Sequence, residues 1–422
     1  MIPAVRQAYN AAFTDARYAA FMRELTKSMY WPVDFRVAES PLFLDEQATR
    51  ELIRAADDIV AQLSTPVFRQ HAKTAIPRGS LATSPELVEG PRSLEVPGET
   101  PFPHFLAIDF ALCHDAAGKI RPQLIELQGF PTVACWQVLL AQAYRHHFPE
   151  IPADFTTYFG GLDEKRYLAD YRRAILGDCL PENTVLLEIT PGEQKTRVDF
   201  ACTHSYLGVR PMCVTKIVKR GRQLFYFSGG REVPIHRIYN RVIFDELIRK
   251  KPVMKFSFSD DLDVQWAGHP NWYFRISKHT LPFLQSPYVP ECHFLSAFSG
   301  TVGAALRRDP LPLPDDLSNY VCKPLYSFAG LGVDIAPTKE SIAAIPNPSE
   351  WLLQRKVAYA PIMETPDGPA KVEVRLIFAG DGSQMPKLVN NLARLTKGAM
   401  HGVDFNKGRT WVGASCAFHP AV

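Results

Sequence analysis

Apolar and alanine positions recur at helical spacing through AYNAAF, YAAFMREL and the stretch from Thr49 to Leu63 behind Asp45, so residues 1 to about 75 predict a helical region. The pattern then breaks. AIPRGSLATSPELVEGPRSLEVPGETPFP is dense in Gly, Pro and Ser and reads as a long surface loop carrying Arg78 and Arg92. Beyond it, the alternating runs LAIDFAL and PQLIELQ flank DAAGK, the pattern of a β-hairpin. Side chains facing one way on such a pair sit about 5 Å from a cross-strand partner. Asp109 and Glu126 are therefore candidates for one shared face, and Gln128 points the same way as Glu126.

From Asn183 the pattern changes to strand VLLEI, a helical stretch from Glu193 to Leu207, strand PMCVTKIV, a hairpin around Gly229-Gly230 and strand IHRIYNRV, which together predict a small α/β unit. After a Pro-rich passage from Pro282 to Pro314, strand NYVCKPL runs into SFAGLGV. Mixed α/β structure then continues through WLLQRKV, KVEVRLIFAG and NNLARLTKG. No internal repeat or low-complexity tract interrupts this order.

Composition narrows the chemistry. A chain of 422 residues allows two or three domains, and 46% hydrophobic with 22% charged residues is an ordinary globular mix. The 47 basic and 44 acidic residues nearly cancel to +3, with no basic block interleaved with aromatics, which argues against nucleic acid and for small molecules as partners. No window approaches the ~18 unbroken apolar residues of a membrane span, and the start lacks a signal-peptide pattern, so the expected location is cytoplasmic. The eight cysteines are scattered without a C-x-x-C pair and read as reduced core residues. His146 and His147 follow a helix-like run, where neighbours face different ways, which argues against a metal pair. Asn271-Trp272-Tyr273-Phe274 reads as core.

Three local signals carry chemistry. Tyr320 to Pro324 brings Lys323 to a strand end before a loop with Gly330 and Gly332, a setting in which backbone N–H groups can approach an anion, although no Walker A motif is present. Asp109, Glu126 and Gln128 offer hard oxygen ligands of the kind Mg²⁺ takes together with substrate phosphates. Glu373 and Arg375 share a strand face, and Lys278, Arg394 and Lys397 complete a charged set. Each has a plain alternative: a turn with a surface lysine, a pair of solvated carboxylates, a surface ion pair.

Their order resembles a circularly permuted ATP-grasp ligase, the arrangement of eukaryotic-type glutathione synthetase and glutathionylspermidine synthetase-like proteins. In such proteins the acidic metal strand precedes the phosphate lysine. Here Gln123-Leu124-Ile125-Glu126-Leu127-Gln128 lies about 200 residues before Lys323. The resemblance runs patchily from about His104 to the C-terminus.

The resemblance implies an ATP-grasp fold in permuted order, α/β (α+β) in class, with a helical N-terminal region and an inserted small Rossmann-like α/β substrate domain. Residues 1–100 would form the helical region and Pro/Gly loop, 101–180 the metal-hairpin part, 181–270 the substrate domain, and 271–422 the nucleotide-binding subdomains and lid. It implies Mg²⁺ at Asp109, Glu126 and Gln128, with Gln128 standing where the family has Asn. ATP would meet Lys278, Lys323, Gly330, Gly332, Gln354, Val357, Arg375 and Lys397, the last two beside Arg394 around the transferred phosphate. Tyr239 and Arg241 resemble a substrate-contacting Tyr-Xaa-Arg segment, and Cys135 would lie near the acceptor. The implied reaction joins a carboxylate to an amine, releasing ADP and phosphate. Homodimers are common among such proteins. A nucleotide-binding pseudo-ligase and an ATP-grasp phosphotransferase stand as alternatives.

Overall fold

The computed structural model describes residues 2–76, 95–298, 310–326, 332–398, 406 and 408–422. Gly330, Arg78 and Arg92 lie outside them. The N-terminal region is helical as expected, with helices Pro3–Ala12, Asp15–Lys27, Glu46–Leu63 and Pro66–Ala72. Thr14, Asp45 and Thr65 cap three of these by accepting a backbone N–H of the first turn. Between the second and third helices the chain extends, and Leu42–Phe43 pairs in parallel with Ala417–Phe418, tying the first fifty residues to the last six.

The predicted hairpin forms from Phe105–His114 and Ile120–Gln128. It supplies two strands of a five-stranded antiparallel sheet completed by Lys371–Ala379, Lys387–Thr396 and Gly413–Ser415, with Ile120–Gln128 at one edge. One face carries Ile108, Phe110, Val372, Val374 and Leu376, which bury against Leu52, Ala55, Ala56 and Ile59 of the Glu46–Leu63 helix. Those helix positions recur at i, i+3, i+4 and i+7, the stripe that a single buried face requires. The opposite face is apolar at Phe105, Ile377 and Leu392 and there joins the core around the helix Ala134–His147. Farther along it becomes charged.

Register explains that change. Asp109 pairs with Glu126 but Phe110 pairs with Leu124, so Ile125 is the extra residue of a β-bulge. Strict alternation would set Leu124 and Glu126 on one face. The bulge separates them, sending Leu124 into the apolar core opposite Phe110 and Glu126 to the charged face opposite Asp109.

A second layer is the parallel sheet formed by Gln265–Ala267, Arg237–Asn240, Thr184–Glu188 and Arg210–Cys213, in that order. This is the small α/β unit expected from Asn183 onward, with helix Arg197–Leu207 packed between it and Ala134–His147. A three-stranded antiparallel sheet of Cys292–Phe294, Trp351–Arg355 and Tyr320–Pro324 approaches the edge strand Ile120–Gln128. Asn271 to Phe274 lie in a buried helix, Pro270–Arg275. All eight cysteines are free, and six are buried. Among the described residues, no helix is long and apolar enough to cross a membrane.

Candidate functional site

The charged sheet face brings together residues up to 285 positions apart in sequence. Arg375 stands directly across from Asp109 in register, and Glu373 across from Arg394. Arg375 grips Asp109 with two parallel hydrogen bonds, Nε to Oδ1 at 2.5 Å and Nη2 to Oδ2 at 2.6 Å. Such a fork adds geometric specificity to charge. Arg394 Nη2 donates to Asp109 Oδ2 at 2.6 Å and also to Glu373. Glu126 is about one-third exposed, 3.6 Å from Arg375 Nη2, and offers the most accessible carboxylate of the group.

The electrostatics of this face are unbalanced. Burial disfavours the charge of Asp109, yet Arg375 and Arg394 outweigh it and hold the carboxyl below its ordinary range. Burial pushes Glu373 up to about 7; Arg394 opposes this, and the nearby Asp109 and Glu126 add to it. On this face three carboxylates crowd two guanidiniums.

Two lysines supply the other side. Lys323 Nζ donates to Gln354 Oε1 at 2.6 Å and to the Ile125 carbonyl at 3.4 Å, the residue that the bulge removes from the ladder. Lys278 is buried in the turn Lys278–Phe283, whose start is fixed by a Ser277/Thr280 capping box. Burial lowers both lysine pKa values and Glu126 is the leading influence raising each, while Lys278 further lowers that of Lys323. A polyanion between the lysines and Glu126's face would relieve that repulsion.

The remaining expected residues lie at varying distances from this group. Gln354 is buried and uses its side chain to hold Lys323, with Nε2 donating to the Leu124 carbonyl at 3.5 Å. Val357 is half-buried and its carbonyl accepts from Tyr359 at 3.2 Å. Lys397 is bound to Thr365 at 2.9 Å and to Asp367 rather than to the arginine cluster. Gly332 has φ +74°, a conformation glycine adopts without strain, and sits against Pro324 just past Lys323. Gln128 is half-buried at the end of the edge strand.

Tyr239 and Arg241 lie at the carboxyl end of a central parallel strand, where open α/β sheets place ligands. Tyr239 is fully buried, its hydroxyl 3.0 Å from that of Tyr171. Arg241 Nη1 donates to Asp199 Oδ2 at 2.7 Å and stacks over Phe200. Asp199 Oδ1 accepts from the Trp136 backbone N–H at 2.9 Å, capping the helix Ala134–His147 from another element. Burial pushes Asp199 above its ordinary value, with Arg241 and the helix amides opposing. Cys135 is buried in the same helix turn.

Sequence reasoning missed three partners. Thr132 Oγ1 accepts from Arg375 Nη1 at 3.0 Å and so links the charged face to the start of that helix. Tyr359 donates to Glu373 at 3.2 Å, and Asp199 holds Arg241. Asp199 in a helix first turn has a local signal as a dipole partner, but nothing local names the other helix it caps.

The magnesium expectation fits the donor set in part. Glu126 and the Gln128 amide on one strand face are hard donors beside lysines, suited to an ion shared with phosphates. Asp109 differs from its expected role, because both its oxygens are already taken by arginines.

The layers define a mixed α/β protein, whose architecture agrees with a glutathione synthetase-like fold. One solved structure that shows this likeness is a glutathione synthetase-like effector, GSS30, from Globodera pallida in its apo form. It matches with a TM-score of 0.57 and 8% sequence identity, covering 100% of this chain and 99% of that one. No family model and no curated protein sequence matches the chain.

Proposed function

We propose that the chain is an ADP-forming carboxylate–amine ligase on an ATP-grasp fold in permuted order, acting in the cytoplasm on a small carboxylic acid and an amine. One observation carries this reading. Lys323, from a separate antiparallel sheet, reaches the Ile125 carbonyl next to Glu126, and Lys278, in the buried turn Lys278–Phe283, has Glu126 as the leading charge favouring its protonated form, beside the face that holds Arg375 and Arg394. Cations from two layers converging on one accessible carboxylate suit a metal-bridged triphosphate better than a structural ion pair, which would close on itself.

In this mechanism Lys323 and Lys278 bind phosphate oxygens, and Glu126 with Gln128 holds Mg²⁺, which when bound neutralises charge on the phosphates. Arg375 and Arg394 flank the site of transfer and stabilise charge on the moving phosphoryl group. The substrate carboxylate oxygen attacks the terminal phosphorus, its bond to the bridging oxygen breaks, and ADP leaves. The amine then attacks the resulting acylphosphate, forming the amide while phosphate departs and the amine gives up a proton. The bond from Arg375 to Thr132 supports an acceptor site beside the helix Ala134–His147. There Trp136 Nε1, both amide atoms of Gln137, Asn240 Nδ2 and Arg241 Nε are buried without hydrogen-bond partners among the described residues, which supports a polar acceptor.

Thermal unfolding with and without Mg·ATP, beside Lys323→Ala, tests the reading. Saturating ligand at 100 times its Kd stabilises by about 2.7 kcal/mol. The wild type should shift and the variant should not, with ADP release appearing when a matching acid and amine are supplied. Absence of any shift at saturating Mg·ATP overturns it. A pseudo-ligase is the second reading, favoured by the closed grip of both arginines on Asp109; it gives the shift with no ADP release for any acid and amine pair.

A further inference from the structure

The helix Ala134–His147 begins beside Arg375 and ends, roughly 20 Å away at 1.5 Å per residue, in a second cluster unrelated to the charged sheet. Phe21 of the helix Asp15–Lys27 stacks on Tyr144 with ring centres 4.6 Å apart. Glu24 and His147 each lie three residues further along their own helices, so the stacked pair brings them face to face. Glu24 Oε2 lies 2.8 Å from His147 Nε2 and 2.7 Å from His146 Nδ1. The argument that neighbouring helical histidines diverge is correct for their Cβ directions. It fails here because His146 uses its near ring nitrogen and His147 its far one, and the rings converge with centres 4.7 Å apart.

We propose that Glu24, His146 and His147 form a binding site for a borderline divalent transition ion of the Zn²⁺ class. Their three ligand atoms lie within 4.8 Å of one another. Two imidazole nitrogens and one carboxylate oxygen are the donor set of open zinc sites, and they select against the hard ions Mg²⁺ and Ca²⁺. A carboxylate oxygen only accepts, so the two ring nitrogens facing Glu24 donate to it here, and an incoming ion takes their lone pairs once each ring carries its proton on the other nitrogen. His146 is 70% exposed, leaving room for water as a further ligand, whereas His147 is 17% exposed and held in place. Arg17 fixes the cluster from behind: Nε and Nη2 donate to the His147 carbonyl at 3.1 and 2.8 Å, and Nη1 donates to Glu150 at 3.0 Å. Bound metal would staple the N-terminal helices to the helix whose other end adjoins the acceptor side.

The test is calorimetric titration of the full chain, stripped with chelator, using Zn²⁺ alone and Mg²⁺ alone, together with thermal unfolding. The expected result is one Zn²⁺ per chain, no Mg²⁺ binding in this cluster, and a midpoint raised by about 5 °C or more at saturation. His146→Ala, on an exposed side chain that cannot disturb packing, and Glu24→Gln should each weaken Zn²⁺ binding at least about tenfold, the lower end of losses seen even for residues behind a metal ligand. Failure of the wild type to bind Zn²⁺ overturns the proposal. So does binding that both variants retain, which would put the ion outside this cluster. Neither variant touches the charged sheet face, so the outcome is independent of the Mg·ATP experiment.

Discussion

Two buried Arg–Asp pairs serve opposite purposes in this molecule. At the end of the parallel strand, Arg241 and Asp199 form a closed unit: the arginine stacks between aromatic rings, and the carboxylate spends its other oxygen on a helix terminus. On the antiparallel sheet, Asp109 is gripped by two arginines, but Glu373, Glu126, Lys278 and Lys323 crowd the same space and the charges remain unsettled. The first arrangement pairs its charges internally and fixes the fold, leaving Arg241 Nε as its one atom without a hydrogen-bond partner among the described residues. The second holds charges close together at an energetic cost, which a bound metal and polyphosphate would remove. Strongly perturbed groups of both signs in one cleft mark a functional site more reliably than any single residue type.

The comparison is most severely tested by removing one partner of the closed pair. Asp199→Ala leaves a buried guanidinium unpaired and uncaps a helix, and should destabilise the chain by about 3–5 kcal/mol in denaturant unfolding. A loss below the ~1 kcal/mol typical of an exposed pair would mean that the unit is not closed. Glu126→Gln should do the reverse, lowering Mg·ATP-dependent turnover on the order of 100-fold while unfolding midpoints stay close to the wild type. Equal losses of stability for the two variants would erase the distinction.

A smaller effect separates the two regions by pH. Glu373 has an ordinary value of 4.5 and is pushed up to about 7 in the fold by burial. Between those values the folded chain binds more protons than the unfolded one, so stability contributed by this group is present at low pH and falls as pH rises through about 7. The Asp109 carboxyl, held below its ordinary 3.8, acts in the opposite sense and only in more acid solution. Glu373→Gln should therefore flatten the decline between about pH 4.5 and 7 measured by thermal unfolding. An unchanged slope would show that Glu373 is not the group responsible.

Much of the site was legible because it rests on short-range periodicity. The alternation around DAAGK identified a hairpin, and two-residue spacing put Glu373 beside Arg375; both features stand. The convergence of His146 and His147 was not legible, since it depends on which ring nitrogen each uses and on a glutamate 122 residues away. Lys397 shows the same limit from the other side: its motif position is clear, but Asp367 from a neighbouring turn holds it away from the arginines.

The sequence by itself determined the longer strands, the helical start, the reduced cysteines and the candidate charges, because propensity and hydrophobic period act over a few residues. Only the tertiary structure decided that Ile125 bulges, and with that single extra residue Leu124 enters the core while Glu126 faces Asp109. It also decided that Asp109 belongs to two arginines and that Lys323 reaches the carbonyl freed at the bulge. A bulge adds one residue to one strand of a pair, and its cost or benefit depends on what packs against both faces. That information lies in the Glu46–Leu63 helix beneath the sheet and in the lysine-bearing sheet beyond its edge, both distant in sequence.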